Sequence, residues 1–121
     1  MSPGVLAELR ALGNSTQRIA GVDSQSTAVA VAEFAGQKFG WQPTHVDLVR
    51  GDTFADAASA AAHAGEQWAP LLFTTSPVEL GSATADFLRA HAGSVASINL
   101  IGGPGAISDA VLAQARAAAT G

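Results

Sequence analysis

Short apolar runs alternate along the chain with longer stretches in which apolar residues recur every three or four positions. Val46-Asp47-Leu48-Val49, Leu71-Leu72-Phe73 and Ile98-Asn99-Leu100-Ile101 are nearly continuous in apolar character. Such runs mark parallel strands covered on both faces. Ile19-Ala20 is a shorter candidate strand ahead of them. Between the runs, Ala28, Val31, Ala32, Ala35 and Phe39 fall on one helical face. Leu80, Thr84, Phe87, Leu88 and His91 repeat that spacing, as do Ile107, Val111, Ala115 and Ala118. Phe54 to Glu66 is alanine on nearly every side, which predicts a helix buried or pressed closely against the sheet. Strand and helix in alternation predict an α/β fold, a parallel sheet with helices on both faces.

The two ends add a repeat. Val5-Leu6-Ala7-Glu8-Leu9-Arg10-Ala11 matches Val111-Leu112-Ala113-Gln114-Ala115-Arg116-Ala117 at five of seven positions, 106 residues apart. Self-similarity at a fixed period is what a tandem array leaves behind. Residues 1–16 are therefore expected to be a helix resembling the tail of a preceding unit, and residues 17–121 one complete unit. Convergence of two alanine-rich amphipathic helices is the competing explanation.

Composition narrows the function classes. Of 121 residues, 48% are hydrophobic and 13% charged, about half the charged share of an ordinary domain. So little polar cover leaves some surface for a partner. The net charge is −4 and the six basic residues are scattered singly, so no basic stripe for nucleic acid is present. Cysteine is absent, which excludes disulfides and thiolate chemistry. No stretch is apolar enough for a membrane span, and the first residues lack a signal-peptide pattern. Any export signal is expected to lie outside this chain.

Four segments, in order, carry a family resemblance. Arg18-Ile19-Ala20-Gly21-Val22-Asp23, followed by Ser26-Thr27-Ala28, is similar to an opening Arg-x-x-Gly-x-Asp-Arg-Tyr-x-Thr-Ala motif. Gly51-Asp52-Thr53-Phe54-Ala55-Asp56-Ala57 resembles Gly-Asp-Asn-Phe-Pro-Asp-Ala. Ala69-Pro70-Leu71-Leu72-Phe73-Thr74 resembles Ala-Pro-Ile-Leu-Leu-Thr, and Ile101-Gly102-Gly103-Pro104-Gly105-Ala106-Ile107-Ser108 resembles Val-Gly-Gly-x-Gly-Ala-Val-Ser. Together they resemble the type 2 cell-wall-binding repeat of Gram-positive surface proteins. The chain departs from that pattern at Ser24-Gln25, where Arg-Tyr is usual, and at Thr53, Ala55 and Ala58. The resemblance implies a Toprim-like fold without its nuclease chemistry and a non-catalytic module with no cofactor. It also implies an extracellular, wall-bound location, anionic secondary wall polymers as ligand, and assembly in threes from like chains or tandem siblings.

Carried over by the resemblance, the candidate ligand residues are Arg18, Asp23, Thr27, Arg50, Asp52, Asp56, Gly102, Gly103 and Ser108. Gly21, Gly51, Phe54, Pro70, Leu71 and Leu72 hold the motifs together. Each has a plainer reading. Asp52 and Asp56 could bind a cation or act as an acid–base pair, but Thr53 capping a helix with Asp56 at its positive end is preferred. The Gly102-Gly103 turn suits an anion at a helix start, or simply a tight turn with Ser108 as N-cap. Arg18 is expected to pair with Asp23 or another carboxylate rather than with ligand. His45, His63 and His91 lack metal-ligand spacing, and His91 falls on an apolar helix face. Trp41 and Trp68 either stack on sugars or cover the core. Two other functions remain open: a structural or oligomerising module without polymer affinity, and a small hydrolase acting through Asp52 and Asp56.

Overall fold

The computed structural model describes residues 2–13, 15–40, 42–51, 54–103, 105 and 107–120; the side chains of 54–59 and 62 are outside that description. In chain order the elements are α1 (Pro3–Ala11), α2 (Ser24–Phe39), β1 (His45–Arg50), α3 (Phe54–Gln67), β2 (Leu71–Thr74), α4 (Ser82–Ala90), β3 (Ser97–Ile101) and α5 (Asp109–Ala119). The sheet runs β2-β1-β3, with β1 parallel to both neighbours. The three strong strand predictions hold. Ile19-Ala20 does not form a strand: it belongs to a stretch outside the sheet, against the flank of α2.

Strand order explains where the helices go. From β1 the chain moves sideways to β2 through α3, then back across β1 to β3 through α4. Right-handed crossovers in opposite directions put the intervening helices on opposite faces. Side-chain alternation agrees. Val46 and Leu48 of β1 and Leu72 of β2 point into one buried cluster with Ala32 of α2, Leu80, Phe87 and Leu88 of the α4 region, and Ile107, Val111, Ala115 and Ala118 of the α5 region. Asp47 points the other way, onto α3.

That second face is thinner. Among the described elements α3 is the helix that covers it, lying over β1 and β2. Of the described α3 side chains only Ala60 and Ala64 are buried, while Ala61, His63 and the residues beyond Ala64 are exposed. The described half of this alanine-rich helix thus rests on the sheet by one narrow stripe. Helix α1 has no buried residue at all. Leu80 and Ile107, expected inside helices, instead precede them as core plugs, 2% and 3% exposed. Gly81, at φ 90°, breaks the helical path after Leu80.

Candidate functional site

All strands run in one direction, so the starts of α2, α3, α4 and α5 gather at the carboxyl edge of the sheet. After β1 the chain turns onto the α3 face, and after β3 onto the α4–α5 face. The gap between those two neighbouring strands is the topological switch point, where open α/β sheets form their ligand crevice. Gly51 leaves β1 on one side of it and Gly102-Gly103 leave β3 on the other. The two glycine-containing motifs therefore leave the same edge of the sheet from neighbouring strands.

The edge is tightly built beside Gly51. Its N–H donates to the Thr74 carbonyl at 3.2 Å, and a Cβ here would lie 2.8 Å from that same oxygen. Gln25 Nε2 donates to the Thr74 carbonyl from the first turn of α2, at 3.3 Å. Thus α2, β1 and β2 converge on one carbonyl. Arg50, half-buried, sits in register with Thr74. Gly102 adopts φ 131°, a backbone that side chains rarely permit, and Gly103 faces open space.

The opening motif forms a closed local unit. Asp23 caps α2: its Oδ1 accepts from the Ser26 N–H and hydroxyl, both at 2.8 Å, while its own N–H donates to Ser26 Oγ at 3.1 Å. The Ser26 backbone N–H, and secondarily its hydroxyl, hold the Asp23 carboxyl below the usual carboxylate range. Gly21 N–H donates to Thr27 Oγ1 at 3.0 Å. A side chain at Gly21 would collide with Ser26. Asp23 is thus turned onto Ser26 rather than onto Arg18. Arg18 is exposed, in a shallow groove shared with Glu33 and Phe34. It is not brought to the crevice with Gly51 and Gly102.

Asp52 and Thr53 lie outside the described residues, as do the side chains of Phe54 and Asp56, Pro104 and Trp41. Ser108 occupies the N-cap position of α5 without a side-chain capping bond. Its N–H donates to the Pro77 carbonyl at 2.7 Å, tying α5 to the loop after β2. Its hydroxyl is buried and has no partner among the described residues, and the same holds for Thr74 Oγ1. Pro70 accepts from the Asp47 N–H at 3.0 Å, and Leu72 enters the main core.

Three residues form a polar cluster that the motifs did not mark. Asp47, wholly buried, accepts from His63 Nδ1 at 2.7 Å and from Asn99 Nδ2 at 2.9 Å. His45 and Ser97 form a second pair on the same face, with Nδ1 and Oγ 2.6 Å apart. A signal did exist: Asp47 and Asn99 each interrupt an apolar run, and parallel register pairs them directly. His91 packs its ring on Phe87, centroids 4.4 Å apart, as its helix face led one to expect. Among the described residues no group of three or more His, Asp or Glu side chains could hold a metal ion.

Comparison with known proteins gives two matches. A family model described as cell wall binding domain 2 (CWB2) matches residues 18–112. The N-acetylmuramoyl-L-alanine amidase LytC of Bacillus subtilis (strain 168) is 29% identical over 111 residues, which is 92% of this chain and 21% of the amidase. The chain therefore spans about a fifth of that relative's length. No solved structure matches it.

Proposed function

The chain belongs to the cell wall binding domain 2 family, and from that premise we propose that it anchors a secreted protein to anionic secondary polymers of a Gram-positive wall, working as a threefold assembly. The observation that carries the reading is the family match over residues 18–112, which spans the sheet and every motif. The family is one of binding domains, and the module is read as non-catalytic. The amidase activity of the relative is not transferred, because the match spans only 21% of that protein. The three-stranded parallel sheet supports a Toprim-like scaffold used for binding alone.

On this reading the polymer binds at the carboxyl edge of the sheet, where the chain leaves β1 and β3 in opposite directions. With a net charge of −4 the chain gains no long-range attraction for an anion, so local donors must supply the contact. Arg50 and the helix starts beyond Gly51 and Gly103 are the proposed donors. Ser108 joins them at the α5 N-cap, and Asp52 and Asp56 belong to the site by their place in the motif alone. Asp23 and Thr27 instead fix the α2 start, while Arg18 stays exposed beside Glu33. A contact with a further unit is supported by an apolar stripe of Val31, Phe39 and Trp68, which are 50%, 75% and 78% exposed; its threefold form is what the family resemblance implies. Linking three weak sites raises avidity without any new contact. A structural module without polymer affinity is the second reading. It is favoured by the same stripe and by Gln25, which spends its amide on Thr74.

The test is retention on purified Gram-positive walls, intact and chemically stripped of secondary polymers. Retention on intact walls and its loss on stripped walls is the expected result. Equal retention on both walls would move the ligand to peptidoglycan. No retention in any assembly state, with the oligomer intact, would leave the structural reading in its place.

A further inference from the structure

The α3 helix is held to the sheet in a way its alanine content does not suggest. Ala60 and Ala64, the buried residues among its described side chains, contribute little apolar area, since methyl groups are small. Between them projects His63, whose Nδ1 reaches the buried Asp47 carboxylate in the middle of the central strand. The other Asp47 oxygen is taken by Asn99 from β3. A carboxylate removed from water needs a compensating charge as well as hydrogen bonds. Asn99 is neutral, so that charge falls to the imidazole. His63 is 45% exposed, so a proton from solvent reaches Nε2 without opening the fold.

We infer that Asp47, His63 and Asn99 form a proton-operated tie that clamps α3 to the sheet when His63 is protonated and slackens when it is not. The helix so held starts directly beyond the Gly51 turn, so the state of the tie reaches the rim of the crevice through α3. The inference stands independently of wall binding.

Among the described side chains few compete for the proton. From β1 the same face presents His45, which is engaged with Ser97 of β3. From β3 comes Asn99, from β2 only Leu71 and Phe73, and from α3 itself Glu66. Where α2 nears the end of α3 it offers Ala35, Phe39 and Gly40, none of which titrates. The hydrogen bond to Asp47, then its charge, and to a lesser extent Glu66, raise the His63 pKa above the ordinary 6.5. A raised imidazole pKa fixes the sign: the added stability is complete below the free histidine value and disappears as pH rises through the higher folded value. Slackening thus belongs to solution above that raised value.

The measurement is amide hydrogen exchange on the intact chain between pH 5 and 9, with α3 read against α5 so that the intrinsic pH dependence cancels. The α3-to-α5 ratio should rise with pH, about tenfold for each unit by which the folded pKa exceeds the free one. His63→Gln keeps a donor but cannot titrate, and should flatten the curve. An NMR titration of the unsubstituted chain gives the His63 pKa without relying on any variant, and Asp47→Asn should return it to the ordinary range. The idea is overturned by a His63 pKa at or below the free value, by a ratio that does not move with pH, or by a rise that persists in His63→Gln.

Discussion

A buried hydroxyl without a partner is a small flaw that a substitution can expose. Thr74 is fully buried and its Oγ1 finds no hydrogen bond among the described residues, although its carbonyl is shared by Gly51 and Gln25. Valine has nearly the same shape and no hydroxyl to leave unsatisfied. Thr74→Val should therefore raise stability by about 1 kcal/mol in denaturant unfolding. A loss instead would mean that the hydroxyl has a partner on folding. Asp23 gives the opposite case. Its capping box is complete, so Asp23→Ala should lower the melting temperature, and a lowered carboxyl pKa makes the effect pH-dependent. The contribution of Asp23 is present above the free carboxyl value of 3.8 and is lost as pH falls through the lower folded value. Melting curves of parent and variant should converge in acid. These residues differ in how far the sequence revealed them. The cap at Asp23 is not read from the sequence, where Arg18 is expected to pair with Asp23 or another carboxylate, because spacing says nothing of side-chain direction. Asp47 was hidden inside an apolar run, and its link to His63 joins residues 16 apart on different elements.

Among the elements, periodicity located the three strands and helices α2, α4 and α5 well, since each has one face that must be buried. It failed where burial is decided by a neighbour rather than by the element. Ile19-Ala20 is apolar enough for a strand, but among the described residues no edge receives it. The alanine-rich α3 has no intrinsic face, and its docking side is set by the residues it meets. Helices α1 and α5 make this dependence measurable. They share five of seven residues, yet Val111 and Ala115 are 0% exposed while Val5 and Leu9, at matching places, are 41% and 36% exposed. Val111→Ala should cost about 2 kcal/mol, because it empties space in the main core. Val5→Ala should stay within about 0.5 kcal/mol, as exposed positions do. Equal costs, read from chemical denaturation of the two variants, would show that α1 is packed in solution. The expected inequality supports the proposal that α1 repeats the last helix of a like unit, whose covering partner lies elsewhere.

At the scale of the whole molecule, the unsolved element is the surface between α2 and α3. Val31, Ala35 and Phe39 on α2 run toward Ala64, Gly65 and Trp68 at the end of α3, with few polar atoms among them. Nothing in the periodicity marked this stripe, because Val31 and Phe39 obey the same spacing as the buried Ala32. Trp68 adds a backbone cost. It sits at φ 54°, the left-handed position that closes α3, where glycine is the usual residue. The sequence places an exposed indole at that point despite the strain, which fits a side chain retained for contact with another unit. The proposed threefold assembly can be tested on this residue without confusing dissociation with unfolding. Trp68→Gly removes the indole and relieves the left-handed strain together, so the isolated unit should become more stable by roughly 1 kcal/mol. Its mass by light scattering should nevertheless fall from trimer to monomer over a concentration series in which the parent stays associated. A second variant, Phe39→Glu, should give the same dissociation by placing a charge in the stripe. If Trp68→Gly and Phe39→Glu both retain the parent's mass, assembly uses another face. Should the parent itself remain monomeric at every concentration, threefold action would require units joined in one chain.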